Sequence, residues 1–280
     1  MRPLSVAIVG ATGMVGQELI RVLEQRHFPT GQVQLFASDR TAGKKLFVNH
    51  KEVEVQETSS RSFEHVDLVL FSAGAETSRH FSPIAAKAGA VVIDNSAAFR
   101  MEPWVPLVIP EVNPQDLKDH KGIIANPNCS VIQMGVALYP LHRVNPIRRI
   151  IVSTYQSVSG GTGAAAMEEL TIQTKQILEG HNTTPHVYPH QIAFNLLPEI
   201  DVFLYNGYTK EEWKMMEETR KILHAPELGV SATCVRVPVY ISHSESITVE
   251  FANPITPEDA KKILSQSPGI RLLDDPDISL

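Results

Sequence analysis

The chain has little cysteine, no surplus of positive charge and no long apolar run, and each shortage removes a class of protein. Two cysteines in 280 residues, Cys129 and Cys234, are too few for a disulfide-stapled scaffold or a cysteine-rich zinc site. With 25 basic residues against 31 acidic ones, the net charge of -6 leaves no electrostatic footprint for nucleic acid or anionic lipid. No apolar stretch reaches the roughly 18 residues that suggest a membrane-crossing helix. The first apolar run ends in a glycine turn without a cleavage-site pattern, so no signal peptide is expected. Repeats and low-complexity segments are likewise missing. What is present is an ordinary globular composition, 43% hydrophobic and 20% charged, on a chain long enough for one large domain or two modest ones. These features lead us to expect a soluble cytoplasmic protein with neither a nucleic-acid nor a membrane partner.

Hydrophobic periodicity in the first third alternates between strand and helix. Short β-rich runs at Ser5–Val9, Val33–Ala37, Val66–Phe71 and Val91–Asp94 are separated by helical patterns. One pattern carries Val15, Leu19, Val22 and Leu23, and another ends at Gly89. Strands joined by helical crossovers predict an α/β fold with a doubly wound parallel sheet. Gly122–Ala125 is a further strand, and the apolar stretch Val131–Leu141 reads as a buried helix broken at Pro140. Beyond it we expect a strand at Ile150–Tyr155, a small-residue loop at Ser157–Gly163 and a long helix at Ala164–Leu178. The proline-dotted segment His181–Pro198 reads as loop. Thr209-Lys-Glu-Glu212 fits a capping box opening a helix to about Leu223, with Glu212 and Glu217 on its solvated face. Strands are expected at Val235–Ile241 and Ser246–Phe251, and a short helix from Thr256. The best domain boundary falls near residue 130, giving domains 1–130 and 131–280.

Gly10-Ala-Thr-Gly13-Met-Val-Gly16 joins the first strand to the first helix. Glycines there allow a tight turn and close backbone approach, and the helix N-terminus offers unpaired N–H groups to a pyrophosphate. The G-x-x-G-x-x-G spacing is a variant of the usual dinucleotide fingerprint. An NAD site expects an acidic residue ending the second strand. Here that end reads Ser38-Asp39-Arg40-Thr41. Arg40 with the Ser38 and Thr41 hydroxyls could clasp a 2′-phosphate, which favours NADP, whereas Asp39 would repel it if it faced inward.

Cys129 follows a strand and opens an apolar helix, inside Asn126-Pro-Asn-Cys-Ser130. A thiol at a helix N-terminus has its thiolate stabilised by the macrodipole, which makes it a candidate nucleophile. Cys234, among the strand residues Val230–Val239, fits a buried packing cysteine instead. The loop histidines His181, His186 and His190 are interrupted by prolines and lack a nearby carboxylate cluster, so no metal site is expected.

Together with Ser153-Thr-Tyr-Gln156 and Arg236-Val-Pro-Val…His243-Ser, these motifs resemble aspartate-β-semialdehyde dehydrogenase from about residue 6 onward. N-acetyl-γ-glutamyl-phosphate reductase shares the architecture and cysteine chemistry but is less similar around the motifs. The resemblance implies a Rossmann-type dinucleotide-binding domain followed by an α+β catalytic and dimerisation domain, in a homodimer. It implies NADP-dependent reductive dephosphorylation of L-aspartyl-4-phosphate to L-aspartate-4-semialdehyde, through a cysteine thioester, on the route to lysine, threonine and methionine. Covalent chemistry of this kind needs a nucleophile, a proton shuttle and a hydride carrier. By the match these are Cys129, His243 and NADP, with Gln156 orienting the intermediate.

The same match places Arg100, Asn128 and Lys214 at the phosphate, Glu211 at the ammonium and Arg236 at the carboxylate. For the cofactor it implies Gly10, Thr12, Gly13, Met14, Val15, Gly16, Ser38, Arg40, Thr41, Ser72, Ala73, Gly74, Ser159 and Gly160. Arg236 and His243 are an odd number apart, so one continuous strand would point them to opposite faces. For both to serve one site the strand must end, bulge or turn between them, near Pro238. The chain departs from the family at Ala97, at Val131 and in the Gly160-Gly161 loop. Family members also run through further strands beyond the point matching Leu280, so a non-catalytic fragment that keeps the fold is the competing expectation.

Overall fold

The computed structural model describes residues 2–161 and 163–275, which form two compact units. Of these described residues, the first comprises 2–108 and 115–127, and the second comprises 109–114 and those from 128 to 275.

In the first unit β1 (Leu4–Val9), β2 (Thr30–Ala37), β3 (Lys45–Val48), β4 (Lys51–Glu57), β5 (Leu68–Phe71), β6 (Val91–Asp94) and β7 (Ile123–Ala125) form one sheet. The strand order is β3-β4-β2-β1-β5-β6-β7. Every pairing is parallel except the β3–β4 hairpin. Helix α1 (Met14–Gln25) connects β1 to β2, and α2 (Ala75–Lys87) connects β5 to β6. The strand order reverses at β1, the topological switch point where open α/β sheets bind ligands. Val6, Ile8, Leu35, Val55 and Leu70 are buried there and pack with Ile20 of α1.

The second unit holds α3 (Cys129–Val144), β8 (Ile147–Gln156), α4 (Ala164–Leu178), α5 (Lys210–Ile222), β9 (Gly229–Arg236), β10 (His243–Phe251) and α6 (Pro257–Ser265). Its three strands lie in the order β10-β8-β9, with β9 parallel and β10 antiparallel to β8. Strict alternation in β8 buries Ile150, Val152, Thr154 and Gln156 on one face. Helix α5 packs against β9, and α3 packs against α5 and β10.

Three expectations need correction. Pro140 does not break α3, which continues to Val144 with the proline buried among Leu138 and Leu141. A proline inside a helix costs a hydrogen bond and adds a clash, and the apolar packing of this turn outweighs that cost. The strand expected at Val235–Ile241 lies earlier, as β9, and residues 237–242 form a connection. That connection runs beside residues 157–159, through bonds from Val158 N–H to the Val239 carbonyl and from Ser159 N–H to the Tyr240 carbonyl. Pro238 has no N–H to give a ladder, and Ser242 sits at φ 75, so the chain turns there. Glu212 is not solvated. It is buried, completes the capping box with Thr209 and accepts the Cys234 N–H at 3.2 Å.

Candidate active site

The first-unit pocket lies at the carboxyl ends of β1, β2 and β5. It has a volume of about 470 Å³, and its lining includes Gly10, Thr12, Gly13, Ser38, Arg40, Thr41, Ser72, Ala73 and Gly74. Two helix N-termini open on it: α1 is capped by Gly13 and α2 by Gly74, and neither cap offers a side-chain acceptor. Their first-turn N–H groups are therefore suited to an anion. Gly10 has φ +86, and a Cβ there would lie 2.8 Å from the Ser72 carbonyl. A Cβ on Gly16 would stand 2.2 Å from the Gly10 carbonyl oxygen, so this glycine lets α1 cross tightly over the turn. The turn thus has the cradle a pyrophosphate requires.

Thr12 and Thr41 hydroxyls meet at 3.0 Å, and Asp39 accepts the Arg40 N–H at 2.8 Å. Asp39 and Glu57 also line the pocket, beside the Arg40 cation. Met14, Val15 and Gly16 belong to α1 outside this lining, with Met14 and Val15 exposed. Ser159 and Gly160 belong to the second unit.

The second unit gathers most of the remaining candidates. Asn128 is the N-cap of α3: its Oδ1 accepts from the N–H groups of Ser130 (2.9 Å) and Val131 (3.4 Å). Its Nδ2 donates to Glu211 Oε1 at 2.8 Å, and its backbone N–H donates to Glu218 at 2.7 Å. Cys129 is thereby placed, exposed, at the first position of the helix. Cys234 is the opposite case. Burial, opposed by a bond to Thr154 and reinforced by Glu211, Glu212 and Glu245, pushes its thiol up to about 12.

Glu211 Oε1 also accepts from Gln156 Nε2 at 3.3 Å, and its Oε2 pairs with Lys214 at 3.0 Å. One carboxylate therefore links the residue before Cys129 to the end of β8. Burial works against the charge on Glu211, yet Lys214, Asn128 and Gln156 outweigh it and hold the carboxyl below its ordinary range. Lys214 is likewise opposed by burial but held above its ordinary range by Glu211 and Asp201.

Gln156 is opposite Arg236 in β9 and opposite His243 in β10. Residues directly opposed across a ladder share a face, so His243, Gln156 and Arg236 form one row. This resolves the parity problem, because the two residues lie on different strands flanking β8. Arg236 is buried, donates from Nη1 to the Ser157 carbonyl at 2.6 Å and pairs with no carboxylate among the described residues. Its Nε is buried without a partner among the described residues. His243 Nδ1 lies 3.0 Å from the Ser157 N–H and 2.9 Å from the Ser242 carbonyl. The ring nitrogen therefore has a partner whether it accepts or donates. Burial and then Arg236 lower the His243 pKa, against the raising effects of the Ser242 carbonyl and Glu211. A Cβ on Gly160 would stand 3.1 Å from Arg236 Nη1 and 3.3 Å from His243 Cε1, so this glycine closes over both. Arg100 belongs to the first unit, where it is buried and donates to the carbonyls of Asn126 (2.9 Å) and Asn95 (3.0 Å).

Residues 5–120 match the family model described as semialdehyde dehydrogenase, NAD binding domain, and residues 138–279 match the semialdehyde dehydrogenase dimerisation domain. An aspartate-semialdehyde dehydrogenase of Aquifex aeolicus is 54% identical over 275 residues, covering 97% of this chain and 81% of that relative. This chain belongs to the aspartate-semialdehyde dehydrogenase family. A crystal structure of aspartate semialdehyde dehydrogenase II from Vibrio cholerae, complexed with ASA, superposes with TM-score 0.97 at 46% identity, covering 100% of this chain and 84% of that one. The aspartate semialdehyde dehydrogenase of Candida albicans with NADP is more distant, with TM-score 0.73 at 28% identity, covering 94% of this chain and 76% of that one.

Sequence reasoning missed three residues beside these candidates. Glu218 holds the Asn128 backbone, Ser157 serves both Arg236 and His243, and Glu245 is described below. Nothing in the sequence singles out Glu218 or Glu245, because their partners are 90 and 112 residues away.

Proposed function

We propose that the chain interconverts L-aspartyl-4-phosphate and L-aspartate-4-semialdehyde with NADP, through a thioester on Cys129. Supporting this is the row of His243, Gln156 and Arg236 across β10, β8 and β9, tied by Glu211 to the cap of the helix that carries Cys129. NADP, when bound, accepts or supplies the hydride. Its pyrophosphate is assigned to the glycine turn, and Arg40, Ser38 and Thr41 to the 2′-phosphate.

In the oxidative direction the Cys129 thiolate, favoured by the N-terminal end of α3, adds to the aldehyde carbon, and the alkoxide so formed takes up a proton from water to give a hemithioacetal. His243, kept neutral by burial and by Arg236, takes the hydroxyl proton as the thioester forms. Inorganic phosphate then attacks the thioester carbon and releases aspartyl phosphate and the thiolate. Arg236, a buried cation with no carboxylate partner among the described residues, suits the substrate carboxylate. Glu211 is assigned to the ammonium, Gln156 to orienting the intermediate, and Arg100, Asn128 and Lys214 to the phosphate.

The reading extends to a cytoplasmic homodimer on the route to lysine, threonine and methionine. The dimerisation-domain match supports association, as do Ile151 and Tyr155, 50% and 43% exposed on the outer face of the second sheet. The decisive experiment is phosphate-dependent reduction of NADP by aspartate semialdehyde, with Cys129→Ser as control. The variant should lose turnover while still binding the dinucleotide; turnover near the parent rate would remove Cys129 from the mechanism.

A further inference from the structure

One residue pair, Glu245 on the inner face of the second sheet and Gln133 on α3, belongs to no role above. Directly below the row of His243, Gln156 and Arg236 lies a second row, Glu245, Thr154 and Cys234, set by the same register. Thr154 and Cys234 are fully buried, and the Thr154 hydroxyl accepts from Gln156 at 3.2 Å. Glu245 is two residues from His243 and so shares its face. Its Oε1 accepts from Gln133 Nε2 at 2.7 Å, whereas its Oε2 is buried with no partner among the described residues. Gln133 is four residues beyond Cys129 on α3, on the same helical face one turn along. The Gln133–Glu245 bond thus fastens the helix that carries the nucleophile to the strand that carries the histidine.

We propose that Glu245 is a positioning residue for this pair, holding α3 on β10 through Gln133 and acting in its protonated form. The proposal rests on the reading of Cys129 and His243 given above. A buried carboxyl with one unpartnered oxygen disfavours charge, and burial, only partly opposed by Gln133, raises this group to about 7. Charged or titratable groups on its own strand and the elements nearby are His243 on β10, Cys129 on α3, Cys234 and Arg236 on β9, and Glu211 and Glu212 on α5, and of these Cys234 feels Glu245 directly. Four of these are acids or thiols, so a charged Glu245 would oppose a thiolate at the start of α3, the helix that carries its partner Gln133.

Two variants separate tether from charge. Gln133→Ala removes the tether at a position where alanine favours helix. Glu245→Gln keeps an acceptor for Gln133 and removes the titration. We expect Gln133→Ala to lower kcat about tenfold, with KM for the semialdehyde changed by less than about twofold. Glu245→Gln should keep kcat near parent at pH 6 and lack the limb near pH 7 in its pH profile. Iodoacetamide labelling of Cys129 needs no turnover and follows the thiolate directly. In Glu245→Gln it should match the parent at pH 6 and run about fivefold faster at pH 8.5. Unchanged kcat in Gln133→Ala, or a loss confined to KM, overturns the tether. Superimposable labelling profiles overturn the charge role. A parent chain without turnover but with the expected labelling difference counts against the proposed reaction and for Glu245.

Discussion

Replacing Asn128 by aspartate tests the network at the start of α3, because it changes one function of the side chain and spares the other. Aspartate caps a helix as well as asparagine does, so the bonds to Ser130 and Val131 survive. The amide donor 2.8 Å from Glu211, however, becomes a second carboxylate. Two carboxylates at that separation cannot both be charged, and one keeps its proton. Free carboxyls in the unfolded chain titrate at about 4. Retaining one proton therefore costs about 1.4 kcal/mol per pH unit above that value, or about 1.4 kcal/mol at pH 5 and about 4 kcal/mol at pH 7. The folded variant binds one proton more than its unfolded chain, so its stability must fall as pH rises from 5 to 7. In the parent, Glu211 has a depressed pKa. Its contribution is complete above the unfolded value and is lost only as pH falls through the folded one, so between pH 5 and 7 it adds no slope. Urea unfolding followed by Trp213, which lies in α5 between Glu212 and Lys214, reads this directly when Trp104 is replaced by phenylalanine. Parallel pH dependences for variant and parent would show that Asn128 and Glu211 are not coupled as described.

Two further substitutions probe the pockets. Arg40→Ala should weaken NADP binding by about tenfold or more while leaving NAD within about twofold, since one charge-assisted contact to a 2′-phosphate is lost; equal losses in a titration of both dinucleotides would exclude that contact. Gly160→Ala should lower kcat about tenfold or more with little change in melting temperature. Its new methyl would press on Arg236 and His243 at 3.1 and 3.3 Å, and small displacements of positioned groups are costly to rate. Steady-state kinetics at parent level would show that the loop yields without disturbing either side chain.

The alternating strands and helices of the first unit, and the glycine turn after β1, were legible because each is a local pattern with a local cause. The hairpin of β3 and β4 was missed. Its strands are short, and the burial pattern of β4, with Val55 alone fully buried, gives little alternation to detect. Helix α2 showed only its end at Gly89, because its polar residues Ser78 and Ser82 are buried facing each other at 2.9 Å. Pro140 misled because a breaker was weighed without knowledge of what the turn packs against.

From contiguous residues came a cysteine at a helix start, a glycine turn between β1 and α1, and the family through four ordered motifs. These are properties of contiguous residues, whose turn chemistry and capping depend on near neighbours. Only the tertiary structure decided that Arg236 and His243 flank Gln156 from two different strands. It alone decided that Glu211 and Glu212 are buried connectors rather than a solvated face, and that Glu245 meets Gln133. The reason is physical: a carboxylate reads the same in sequence whether it faces water or a buried amide. Its chemistry is set by the dielectric and the donors that strands and helices distant in sequence bring to it.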